Sequence, residues 1–131
     1  MRKDIEFPEI HGVFMAVVPE NNGAATEARW HAYLVNDLEE PIEMVLIVSQ
    51  GEDAHRRTST MRHQLEVLPA KTYARVEWIE QSVFEMNNYF SVTFYQDGKL
   101  YDKRFVFPSG SIRWDHCKTI PLLEEKGILA V

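Results

Sequence analysis

The chain has 131 residues, 45% of them apolar, 26% charged and 11% aromatic, which suits one domain with a full hydrophobic core and no metal or disulfide staple. No apolar run is long enough for a membrane helix, Met1-Arg2-Lys3-Asp4-Ile5-Glu6 lacks the apolar stretch of a signal peptide, and the single cysteine, Cys117, can form no internal disulfide, so a cytoplasmic protein is expected. Twenty acids against 14 Lys plus Arg leave a net charge of −6, which repels polyanions and argues against nucleic acid as a partner.

Apolar residues recur mostly at every second position, in short runs broken by Gly, Pro, Asn and Asp, the pattern of an all-β domain. Strands are expected over 12–19, 28–36, 42–50, 57–68, 71–79, 88–96 and 99–107. Between the first two lies a small, polar stretch, Pro19-Glu20-Asn21-Asn22-Gly23-Ala24-Ala25-Thr26-Glu27, expected to be a mobile surface loop. Residues 80–86 are too few for a packed helix and suit a single turn crossing between sheets. Seven such strands point to a two-sheet β-sandwich with immunoglobulin-like Greek-key connections.

Asp97-Gly98 supplies the positive φ angles of a two-residue type I′ hairpin turn. With those residues as the loop, paired positions sum to 195. Phe94, Val92 and Phe90 then face Tyr101, Lys103 and Phe105 on the core side. Tyr95, Thr93, Ser91 and Tyr89 face Leu100, Asp102, Arg104 and Val106 on the other. Lys103 breaks the core side and is expected near an edge, its stem packed and its ammonium in water.

After Pro108-Ser109-Gly110, residues Ile112, Trp114 and His116 alternate with Arg113, Asp115 and Cys117 and suggest an eighth strand. The segment 111–131 ends apolar and should dock on its own chain or on a neighbour. Charge is uneven along the chain. Residues 1–50 carry nine acids and three bases, whereas 51–131 carry eleven of each.

Chemistry-bearing motifs are scarce. His11, His31, His55, His63 and His116 stand singly, with no CxxC, HExxH or HxH spacing, so no metal site or cofactor is expected. The glycines form no phosphate-binding loop. Asp115-His116-Cys117 reads as a nucleophile triad in letters alone, since neighbours on a strand point to opposite faces. The basic cluster His55-Arg56-Arg57, with Arg62-His63, could hold an anion or acidic peptide through Arg56, Arg57 and Arg62. The bland reading, which the residues favour, is that the same charges guard an exposed strand edge.

Several strands are apolar on both faces. Val13, Met15 and Val17 oppose Phe14, Ala16 and Val18, and Met44, Leu46 and Val48 oppose Val45 and Ile47. Tyr89, Tyr95, Leu100 and Val106 occupy the outer side of the hairpin and form the candidate interface. Either the tail or a second copy must cover such faces.

Trp30-His31-Ala32-Tyr33-Leu34-Val35-Asn36-Asp37 through Pro41-Ile42-Glu43, with Thr58-Ser59-Thr60-Met61-Arg62-His63 and Tyr95-Gln96-Asp97-Gly98-Lys99-Leu100-Tyr101-Asp102-Lys103, resembles a family of small uncharacterised bacterial β-sandwich proteins over nearly the full chain. Some members carry the label phenylalanyl-tRNA synthetase alpha subunit. This chain is short for an aminoacylating domain, lacks its long helices and shows no ATP-binding arginine motif. The resemblance implies no established activity and keeps a translation-related partner among the alternatives. The expected function is therefore a non-catalytic protein-interaction module, acting as a homodimer with a further protein partner. The alternative is a small-ligand or anion-binding protein that uses residues 55–63.

Overall fold

The computed structural model describes residues 11–20 and 29–131. Their strands are β1 (Val13–Glu20), β2 (Arg29–Asn36), β3 (Ile42–Glu52), β4 (Met61–Leu68), β5 (Thr72–Ile79), β6 (Asn87–Gln96), β7 (Lys99–Phe107), β8 (Lys118–Thr119) and β9 (Lys126–Leu129). They form two antiparallel sheets, ordered β5-β2-β1-β9-β8 and β4-β3-β6-β7, stacked as an all-β sandwich. The expected loop over 19–27 lies, apart from Pro19 and Glu20, outside the described residues, as does the N-terminal stretch Met1–Glu6.

Alternation sends Val13, Met15 and Val17 of β1 and Ala32 and Leu34 of β2 inward. They meet Ile42, Val45 and Ile47 of β3, Phe90, Val92 and Phe94 of β6, and Phe105 and Phe107 of β7 in one buried cluster. The opposite face of β1 is buried too. Ala16, Val18, Tyr33 and Val35 form a second cluster with Ile120, and Phe14, Leu122 and Leu123 pack against it. The segment around 120–123 thus covers the β1 and β2 part of the outer face of the five-stranded sheet.

That segment is held by backbone pairing. β9 sets Leu129 opposite Ala16 and Ile128 opposite Val17, and the Ala130 N–H donates to the Met15 carbonyl at 3.1 Å. Val131 then exchanges two hydrogen bonds with Val106 of β7, at 3.0 and 2.9 Å, so the last residues cross from one sheet to the other. Close approach explains Gly127, because a Cβ there would lie 2.6 Å from the Val17 carbonyl oxygen.

The β6–β7 hairpin has the register that its turn dictates, with Phe94 opposite Tyr101, Phe90 opposite Phe105 and Tyr95 opposite Leu100. Asp97 and Gly98 carry φ of 54° and 74°, as a type I′ turn requires. The crossing from β5 to β6 contains a single 3-10 turn, Gln81–Val83.

Three expectations need correction. The fourth strand begins at Met61, not near residue 57. Asp53 accepts the N–H groups of His55 and Arg56 at 2.8 and 2.7 Å in a turn, and Thr58 then bonds back to Gly51, its N–H donating to the Gly51 carbonyl and its hydroxyl accepting the Gly51 N–H, both at 2.8 Å. Residues 112–117 form no strand, because Trp114–His116 is a 3-10 turn. Ile112 enters the core there, and Trp114 meets the Trp30 ring edge-on at 5.4 Å. The ammonium of Lys103 is not left to water alone, since it donates to the Val13 carbonyl at 3.0 Å and stands 5.3 Å from the centre of the Phe105 ring.

Ile120 is fully buried, so Ile120→Ala is expected to lower the unfolding free energy by about 2–5 kcal/mol in urea titrations. Met44→Ala, at an exposed side chain, should stay within about 0.5 kcal/mol of the parent. Equal, small effects would mean that the C-terminal segment does not shield β1.

Candidate functional site

Strand alternation places Tyr89, Tyr95, Leu100 and Val106 on the outer face of the four-stranded sheet, paired as Tyr89–Val106 and Tyr95–Leu100. Leu46 and Val48 of β3 share this face, opposite Thr93 and Ser91. Tyr95 is 40% exposed, the others are half-buried, and the Arg104 guanidinium stacks 4.4 Å from the centre of the Tyr89 ring. None of these six apolar residues belongs to either buried cluster. Among the described residues, no counterpart of the 120–123 segment is packed over them.

The three basic residues singled out from the sequence occupy different settings. Arg56 stands 3.4 Å from the Asp53 carboxylate, and Arg57 stands 3.4 Å from that of Glu52. Arg62 lies on β4 opposite Val48, its side chain exposed. Backbone N–H donors hold Asp53 below the usual carboxylate range, so it remains an anion beside Arg56. Among the described residues, no polar group is shared by all three arginines.

Asp115-His116-Cys117 does not assemble as a triad either. Asp115 pairs with Arg113 at 3.1 Å, His116 Nδ1 lies 3.1 Å from the Ser111 carbonyl oxygen, and the Cys117 thiol points to the Arg113 carbonyl. Burial pushes that thiol up from its ordinary value, which keeps it in the weakly nucleophilic protonated form. Among the described residues, no group of three His, Cys, Asp or Glu side chains could hold a metal ion, and no helix is long and apolar enough to cross a membrane.

A polar cluster that local spacing does not announce lies between the sheets, on the side where β4 and β5 form their edges. Ser49 is an inward position of β3. Glu77 of β5 stands opposite the core residue Ala32, and His63 of β4 stands opposite Ile47. The Ser49 hydroxyl donates to Glu77 Oε1 at 2.7 Å, and His63 Nε2 lies 2.8 Å from the same oxygen. The carboxylate, not the imidazole, is therefore central, unlike a nucleophile relay in which histidine takes the proton. A cleft of about 400 Å³ opens here, with Met61, Ile79, Val83 and Phe90 among its apolar lining and Ser49, Glu77 and Asn88 among its polar lining.

A second cluster sits on the outer face of the five-stranded sheet. The Tyr33 hydroxyl donates to Glu20 Oε1 at 2.5 Å, Arg75 donates to Glu20 Oε2 at 2.7 Å, and His31 Nδ1 lies 3.1 Å from Glu20 Oε1. Burial, then the Glu20 hydrogen bond, raise the phenol of Tyr33 above its ordinary value. As pH climbs past that value, the unfolded chain loses this proton first, so stability should fall until the folded phenol also ionises. An ultraviolet titration should show one tyrosine ionising late, and Tyr33→Phe should remove that late step. A titration unchanged by the substitution would contradict the assignment.

Compared with known protein families, curated proteins and solved structures, the chain matches none.

Proposed function

We propose that the protein is a non-catalytic interaction module that forms a twofold homodimer through the outer face of its four-stranded sheet. The observation that carries this reading is the apolar set Leu46, Val48, Tyr89, Tyr95, Leu100 and Val106, which stays outside both buried clusters. Apolar side chains left on one sheet face, here interleaved with Ser91, Thr93, Asp102 and Arg104, are found at association sites. The strand order β5-β2-β1 facing β4-β3-β6-β7 supports an immunoglobulin-like Greek key as the scaffold.

A second copy suits the face for two reasons. Two copies of a chain with net charge −6 repel each other except where local charge is nearly balanced. Here Arg57, Arg62 and Arg104 stand with Glu43, Glu52, Glu66 and Asp102. The size also agrees. Four strands of about eight residues cover about 500 Å² in plan, and two such faces reach the ~1,000 Å² at which specific interfaces begin. The single thiol suits a reducing compartment.

Analytical ultracentrifugation is expected to show a dimer. The double variant Tyr95→Asp with Leu100→Asp should be monomeric with an unchanged circular dichroism spectrum, since both side chains point away from the core. A monomeric parent chain, or a variant that still dimerises, would overturn the proposal.

A further inference from the structure

The cleft at the β4–β5 side presents a carboxylate that the protein itself leaves incompletely paired. Glu77 occupies an inward position of a sandwich, and its side chain is only 15% exposed. Its Oε1 is taken by Ser49 and by His63, which counts as a cation only when protonated. Among the described residues, Oε2 has no hydrogen-bond partner, and no Lys or Arg reaches the carboxylate. Holding an anion between two sheets is costly unless a counter-charge or donors meet it.

Asn88 and Ser49, two further polar residues of the cleft, also favour a donor, whereas Gln50, Thr58 and Ser59 line it with donors of their own. Both hydrogens of the Asn88 amide are used, toward the carbonyls of Val83 and Met86 at 2.9 and 3.1 Å. That leaves its Oδ1 as an acceptor, without a donor among the described residues. Gly51 leaves the space beside it open, since a Cβ there would come 2.8 Å from Asn88 Oδ1. Ser49 has given its proton to Glu77 and keeps only lone pairs. Around these acceptors, Met61, Ile79, Val83 and Phe90 supply apolar lining.

We propose that this cleft binds a primary ammonium group carried on an aliphatic stem, with the Glu77 carboxylate as counter-ion and the apolar lining along the stem. Ammonium fits better than guanidinium, because only one carboxylate oxygen is free, and a planar fork needs two to bind bidentately. The overall negative charge of the chain raises the local concentration of such cations. The ammonium could belong to a free amine or to a lysine side chain of another protein. The site is separate from the outer sheet face, so it stands whether or not the chain dimerises there.

The test is an amide chemical-shift titration of the full chain with n-butylammonium, against n-butanol as the uncharged control and a capped lysine peptide as the second source. Saturable shifts at Gly51, Glu77 and Asn88 are expected with both ammonium probes and not with butanol. Tighter binding of the peptide would identify a protein side chain as the source, and equal or tighter binding of butylammonium a free amine. Glu77→Gln should weaken binding about tenfold or more. Should that variant not fold, Met61→Lys, at an exposed position, brings a competing ammonium to the cleft and should have the same effect. Absence of saturable shifts, equal response to butanol, or binding undiminished in a folded variant would overturn the proposal.

Discussion

The structure depends on the burial of β1 on both faces. Val13, Met15 and Val17 face the opposing sheet, whereas Ala16 and Val18 face outward and are just as fully excluded from water. A two-layer sandwich buries only one face of each strand. The outward face therefore needs a third element, and the chain supplies it after β7. Ile120, Leu122 and Leu123 lie across that face, while β9 pairs with β1 in the plane of the sheet. Each Å² of apolar surface covered in this way contributes about 25 cal/mol. The turn that makes this possible carries Leu122 and Glu124 at φ of 71° and 59°, a region that side chains seldom occupy. Pairing of β8 with β9 on either side of the turn holds it there.

The two lateral sides of the sandwich are closed by different chemistry. At one side the backbone of Val131 bonds to that of Val106, and Lys103 of β7 reaches the carbonyl of Val13, so hydrogen bonds tie the sheets together. At the other side β4 and β5 are edge strands of different sheets. There the tie is made by side chains, through Ser49, Glu77 and His63. Side chains hold sheet edges at arm's length and leave the cleft. The buried amide of Asn36 performs a related task at the end of β2. Its two Nδ2 hydrogens are shared among the carbonyls of Glu40, Leu68 and Pro69, and its Oδ1 accepts the N–H of Leu38, which joins the β2–β3 and β4–β5 turns.

Polar groups on the sheet surfaces are mostly matched locally. Glu20 is engaged by Tyr33 and Arg75, Asp53 by Arg56, and Glu52 by Arg57. Apolar side chains remain on the outer face of the four-stranded sheet, and one oxygen of the Glu77 carboxylate keeps no hydrogen-bond partner among the described residues. These two features support the interaction and ammonium-binding proposals respectively.

Period-two alternation and turn chemistry made the all-β class, the β6–β7 register and the two-sided character of β1 legible in the sequence, because these follow from neighbours along one strand. β4 starts later than apolar periodicity suggests because Thr58 bonds back to Gly51 through both its backbone N–H and its hydroxyl, a local competition that periodicity does not record. Residues 112–117 alternate like a strand yet form a turn, since the indole of Trp114 packs against Trp30 of another strand. Of the candidate residues, Tyr89, Tyr95, Leu100 and Val106 could be put on one face by counting along the hairpin, as they are. Ser49, His63 and Glu77 could not be brought together by counting, because they belong to three strands of two sheets and β5 slips its register on β2 between Ala32 and Tyr33. The sequence by itself determined which side chains share a strand face. Only the tertiary structure decided which faces meet and where a carboxylate is left between them, because the stacking of sheets and a register slip are set by contacts between residues far apart in the chain.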